Sequence, residues 1–165
     1  SDPALLGSLV EGVRPLARRP LIVKLSPNVA QIEPLAKAAE AAGADAVSLV
    51  NTFLALAIDA RTRRPRLGAG FGGLSGPAIK PIALRMVWEA SQAVKIPVVG
   101  IGGIMNAEDA IAFLLVGATA VEIGTANLVN PRSSVEIVQG IRDYLDRNDI
   151  PSVTKLTGLF SRENS

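Results

Sequence analysis

The chain has 165 residues, 48% hydrophobic and 19% charged, which is enough apolar surface for one domain with a buried core. Seventeen basic against fifteen acidic residues leave a formal charge of +2, too small for a general nucleic-acid footprint. Cysteine and histidine are both absent, which excludes disulfides, Cys-ligated zinc, iron–sulfur clusters and Ser-His-Asp or Cys-His nucleophiles.

Short β-branched runs alternate with Ala/Leu-rich stretches, the pattern of βα units on a parallel sheet. Leu21–Leu25 is the first predicted strand, ending at Ser26-Pro27-Asn28. A helix over Gln31–Ala42 stops at Gly43, and Ala46–Val50 is the second strand. Asn51–Gly76, rich in Arg and Gly, reads as a long connection whose arginines at 61, 63, 64 and 66 form a solvated loop. A helix follows over Ile79–Ala93. Pro97 opens the third strand, Val98–Ile101. Asn106 caps a helix through Val116, with Glu108 and Asp109 in the first turn where the helix dipole favours acids. Gly117 ends it, Ala120–Ile123 is the fourth strand, and a last helix spans Ser134–Arg147.

The chain repeats itself. Gly43-Ala44-Asp45-Ala46-Val47-Ser48-Leu49 echoes Gly117-Ala118-Thr119-Ala120-Val121-Glu122-Ile123 at an offset of 74 residues, and Pro20-Leu21-Ile22-Val23 echoes Pro97-Val98-Val99-Gly100 at 77. Four βα units fit half of a (β/α)8 barrel, which runs to about 250 residues when whole. They also fit a small doubly wound sheet. No apolar run approaches the roughly 20 residues that span a bilayer, so a soluble, cytoplasmic protein is expected. Ser1-Asp2-Pro3 in place of an initiator Met reads as the start of a piece.

Both architectures bind ligands at the carboxyl ends of their strands. Those ends carry Lys24, Asn51-Thr52, Gly100-Ile101-Gly102-Gly103 and Gly124-Thr125-Ala126-Asn127. Glycines let backbone N–H groups approach a phosphate, and a following helix N-terminus adds a favourable dipole. Each feature also has an ordinary reading: a tight turn at Gly102-Gly103, a helix start at Thr125, a snorkelling stem at Lys24, turn chemistry at Asn51-Thr52. Their coincidence on one rim favours a phosphorylated ligand. The familiar nucleotide signatures fail: G-x-G-x-x-G meets Ser75 or Met105 where its last glycine belongs, and no G-x-x-x-x-G-K-[ST] occurs.

The segments Val23-Lys24-Leu25-Ser26-Pro27-Asn28, Val50-Asn51-Thr52, Gly72-Gly73-Leu74-Ser75-Gly76-Pro77-Ala78-Ile79-Lys80-Pro81, Gly100-Ile101-Gly102-Gly103-Ile104 and Ile123-Gly124-Thr125-Ala126-Asn127 occur in order and at matching spacing. Together they resemble class 1 dihydroorotate dehydrogenase, most closely the catalytic subunit of the NAD-linked (type 1B) form. The resemblance covers nearly the whole chain and corresponds to the C-terminal half of that family's FMN-binding TIM (β/α)8 barrel, so residues 1–165 are expected to be one half-barrel domain.

The resemblance implies that Lys24 lies near the flavin pyrimidine edge, that Val50 contacts the cofactor and that Gly76 lets the chain pass close to it. It implies that Gly102, Gly103, Gly124 and Thr125 hold the FMN phosphate, and that Asn51 and Thr52 bind the substrate's planar edge. The activity implied is oxidation of dihydroorotate to orotate in pyrimidine synthesis. Electrons then pass to a partner subunit carrying FAD and an iron–sulfur cluster, and on to NAD; a homo-oligomer is also expected. In class 1 enzymes the base is a cysteine in the first half of the barrel. This chain has none, so no catalytic residue is assigned to it and the polypeptide alone is expected to be inactive. Two alternatives remain open: a flavin barrel of the dihydropyrimidine dehydrogenase type, and a non-catalytic half-barrel that homodimerises through its open edges.

Overall fold

The computed structural model describes residues 2–160. Asp2 accepts a hydrogen bond from Ala4 N at 2.9 Å and caps helix α1 (Pro3–Val13), where proline suits the first turn. This helix was not expected. Its apolar residues Leu5, Leu6, Leu9, Val10 and Val13 do recur at helical spacing, but only Val10 is buried while Leu5 and Leu9 are both 60% exposed.

Strand β1 (Ile22–Lys24), helix α2 (Glu33–Ala41) and strand β2 (Ala46–Leu49) follow, with the helix starting two residues later than its sequence pattern predicts. The expected connection over 51–76 is instead four short strands, β3 (Phe53–Leu56), β4 (Ile58–Asp59), β5 (Arg64–Pro65) and β6 (Phe71–Leu74). β3 pairs with β6 and β4 with β5, both antiparallel. The arginines at 61, 63, 64 and 66 are exposed at the tip of this ribbon. Helix α3 (Lys80–Ala93), strand β7 (Val98–Ile101), helix α4 (Ala107–Leu115) and strand β8 (Ala120–Glu122) come next. A five-residue helix α5 (Thr125–Val129), which begins at the helix-start residue Thr125, precedes α6 (Ser133–Arg147).

The main sheet is parallel throughout, in the order β1-β2-β7-β8. Its register aligns Lys24 with Ser48, Ser48 with Val99 and Val99 with Ala120, so these four side chains share one face. The other face, bearing Val47, Leu49 and Val98, packs beneath α2, α3 and α4 and makes the main core with Leu35, Ala39, Ala83, Met86, Val87 and Phe113. On the first face Ile22 is 52% exposed and Ala120 is also open. Among the described residues β1 and β8 each have a single neighbour, so the sheet is an unclosed arc with one helix-covered side.

The internal echo is visible in the chain path. Gly43 N donates to Glu40 O and Ala44 N to Ala39 O; Gly117 N donates to Leu114 O and Ala118 N to Phe113 O. Both helices therefore finish in the same paired-bond cap and feed the next strand in the same way. At the start of the first repeat, Asp45 accepts from Leu21 N (2.7 Å) and from the Arg14 guanidinium (2.6 Å). These bonds, the Leu21 one foremost, hold its carboxyl below the usual carboxylate range.

Phe113 is fully buried and lies against the β7 backbone. A Cβ at Gly100 would stand only 2.6 Å from its ring. Phe113→Ala is expected to cost about 3–5 kcal/mol, because the residues around it are already close-packed and cannot collapse into the void. Chemical denaturation of the whole protein checks this, and a loss below about 1 kcal/mol would show that α4 can slide inward.

Candidate functional site

The carboxyl ends of the four parallel strands open into one cleft of about 180 Å3. Lys24, Val50, Asn51, Thr52, Gly76, Gly102, Gly103, Gly124 and Thr125, the residues to which the resemblance gave a binding role, line it, whereas Gly100, Ala126 and Asn127 do not. Their neighbours there include Ser75, Ile101, Met105 and Glu122.

Lys24 is the last residue of β1 and turns to the open face of the sheet. Its Nζ lies 3.9 Å from Oε2 of Glu122, the last residue of β8, and both side chains are nearly half exposed. The two charges thus meet over the open face from its two outermost strands. Glu122 escaped the sequence reading. The available signal was alternation, which puts residue 122 on the same face as Ala120 and hence as Lys24. Ser48, also on that face, buries its hydroxyl without a hydrogen-bond partner among the described residues.

After β2 the chain turns outward, with a cis peptide bond at Leu49–Val50. Val50 N donates to Ile101 O at 2.7 Å. The Asn51–Thr52 segment is held from outside by Asn28, whose Nδ2 donates to Thr52 O (3.1 Å) while its Oδ1 accepts from Leu54 N (2.9 Å). Asn51 is exposed at the mouth, whereas the Thr52 side chain leans on the ribbon at Gly73.

The glycine turns form the opposite flank. Gly102 and Gly103 have φ of 130° and 78°, a region that L side chains rarely adopt. A Cβ on Gly103 would lie 2.8 Å from Lys80 N and 2.9 Å from Gly76 O, so this turn presses against the start of α3. Among the described residues, the N–H groups of Gly102, Gly103 and Gly124 find no protein acceptor. Thr125 Oγ1 donates to Ser75 Oγ at 2.9 Å, tying the turn before α5 to the segment that precedes Gly76. The cleft therefore offers one ammonium group, one carboxylate, amide and hydroxyl groups, and free backbone donors, a set suited to a polar ligand with an anionic end.

A parallel βα scaffold with one covered face and a furnished carboxyl-end mouth defines half of a (β/α)8 barrel together with its ligand-binding rim. The family model described as dihydroorotate dehydrogenase matches residues 1–145, and the chain belongs to the dihydroorotate dehydrogenase family. It is 60% identical over 160 residues to a protein of Solibacter usitatus provisionally named dihydroorotate dehydrogenase A (fumarate), covering 97% of this chain and 53% of that protein. It is 52% identical over 158 residues to the dihydroorotate dehydrogenase B (NAD(+)) catalytic subunit of Alkaliphilus oremlandii, covering 96% and 52%. The subunit of the same name in Bacteroides fragilis is 53% identical over 155 residues, covering 94% and 51%. The chain thus spans about half the length of the curated relatives it matches. The family uses a flavin cofactor. Its members' shared name leaves the dihydropyrimidine dehydrogenase and non-catalytic alternatives without support. Among the described residues no helix is long and apolar enough to cross a membrane.

Proposed function

We propose that residues 1–165 are the C-terminal, FMN-holding half-barrel of a dihydroorotate dehydrogenase catalytic subunit, acting in pyrimidine synthesis on dihydroorotate and orotate. The observation that carries this reading is the convergence of Lys24, Asn51-Thr52 and the two glycine turns on one cleft, in a chain of this family. The residues present suit the group. The free N–H donors of Gly102, Gly103 and Gly124 match a phosphate. When bound, the flavin supplies a two-electron acceptor.

The chain's own residues then have distinct tasks. Gly102, Gly103, Gly124 and Thr125 grip the phosphate through backbone N–H groups and a hydroxyl. Val50 and Gly76 bound the ring system without crowding it. Lys24 places a fixed positive charge where negative charge accumulates as the cofactor is reduced. Asn51 and Thr52 present amide and hydroxyl groups to the planar donor and acceptor edge of the substrate. The cysteine base that the family resemblance implies for the C5 proton has no counterpart among these 165 residues.

Relatives named as NAD(+)-linked catalytic subunits support a separate electron-transfer subunit that reduces NAD; the family resemblance implies that it carries FAD and an iron–sulfur cluster. A second reading, fumarate as direct acceptor, is favoured by the Solibacter relative. The catalytic unit is read as homo-oligomeric and cytoplasmic in either case.

Flavin released from the purified whole protein by denaturation should be FMN, one per chain, and dihydroorotate should bleach it without oxygen. Absence of flavin, or bleaching by dihydrouracil instead, would overturn the reading. Reoxidation by fumarate without a partner separates the two acceptors.

A further inference from the structure

We propose that Lys80 and Asp109, neither of which lines the cleft, are a positioning pair that aligns the phosphate-gripping turns and so sets the preference for a phosphorylated over an unphosphorylated flavin. The inference rests on the FMN reading above.

Lys80 opens α3, immediately after the Gly76–Ile79 turn, and Asp109 sits in the first turn of α4, just beyond Gly102-Gly103. Lys80 Nζ and Asp109 Oδ1 form a direct ion pair. The other carboxylate oxygen, Oδ2, accepts from Met105 N at 2.9 Å, and Asp109 N donates to Asn106 Oδ1 at 2.9 Å. The Asp109 side chain is only 8% exposed and Lys80 33%. One buried carboxylate therefore fixes the residue two beyond Gly103 and, through Lys80, the helix on which Gly103 rests.

The contact between those parts is tight. The Gly103 Cβ position is 2.8 Å from both Lys80 N and Lys80 Cβ and 2.9 Å from Gly76 O. Small rotations of α3 against α4 must then reorient the Gly102 and Gly103 N–H groups, which have no acceptor among the described residues. Stability alone is a poor reason for the pair, since a partly buried ion pair contributes little beyond what apolar side chains of similar volume would give. It does supply a single allowed register between two helix starts. Aligned donors matter most to the ligand group that takes several at once, which is the phosphate.

The test uses the whole protein stripped of flavin and titrated with FMN and with riboflavin, which lacks the phosphate. Lys80→Met is the first variant. Lys80→Met/Asp109→Asn removes the orphaned carboxylate and keeps the pair's summed charge at zero, and Lys80→Arg restores a cation. In both Met variants FMN affinity should fall about tenfold, the scale of one hydrogen bond to a charged group, while riboflavin affinity stays within about twofold. Lys80→Arg should recover most of the FMN preference. A parallel fall for both ligands would make the pair merely structural and overturn the inference, as would unchanged affinity for FMN. A wild-type protein with no preference for FMN over riboflavin overturns the functional reading itself, and this inference with it.

Discussion

Gly103→Val is expected to destabilise the protein by about 3 kcal/mol or more and to abolish FMN retention. Two costs combine. The residue sits at φ 78°, which charges a β-branched side chain on the order of 1–3 kcal/mol. The new Cβ would also meet Lys80 N at 2.8 Å and Gly76 O at 2.9 Å. Those are backbone atoms of the adjoining turn and helix start, so relief requires moving α3, at a further cost of about 1–3 kcal/mol. Gly124→Ala separates folding from grip, because a Cβ there has nothing within 4 Å. Its stability should change by less than about 0.5 kcal/mol, yet the methyl group would obstruct phosphate approach and weaken FMN binding. Thermal denaturation and FMN titration of both variants check the pair. Full FMN affinity in Gly103→Val would remove the phosphate assignment.

Lys24→Ala should lower the rate of flavin reduction by dihydroorotate on the order of a hundredfold, the usual consequence of losing one preorganised charge at a developing anion. Retention of FMN should weaken as well. The loss is compounded because Glu122, 3.9 Å away, is left as an uncompensated carboxylate on the cleft wall. Lys24→Ala/Glu122→Gln should therefore regain part of the FMN affinity while the reduction rate stays low. Anaerobic stopped-flow reduction and equilibrium titration measure the two effects separately. Unchanged reduction kinetics in Lys24→Ala would refute the role given to the ammonium group.

The four parallel strands were readable because each is a short apolar run bounded by Pro or Gly, and two helix ends were readable at Gly43 and Gly117. Helix α1 was overlooked although Leu5, Leu9 and Val13 stand at i, i+4, i+8 and form a stripe, one that remains exposed and so contributes little to the core. The ribbon over 53–74 was hidden for a different reason. Its second strand contains Gly72 and Gly73, which carry no side chains to alternate, and its pairing joins Phe53 to Leu74 across the intervening ribbon. At the cleft, the rule that ligands bind at strand ends, joined to the family resemblance, was enough to pick out residues that prove to be neighbours. Glu122 and the Lys80–Asp109 pair were not legible. Their significance depends on contacts made between elements distant in the chain, and nothing local marks a strand-end glutamate or a helix-start lysine as special.

The two matching βα repeats share helix caps and strand register, yet their rims are furnished differently. The earlier repeat ends in Lys24, Ser26, Asn51 and Thr52, the later one in bare glycine corners. A duplicated scaffold of this kind separates two evolutionary constraints. On the proposed reading, mutations at Asn51 and Thr52 would alter which small planar molecule is accepted while the second repeat keeps the nucleotide anchored, so substrate range could drift without loss of the prosthetic group.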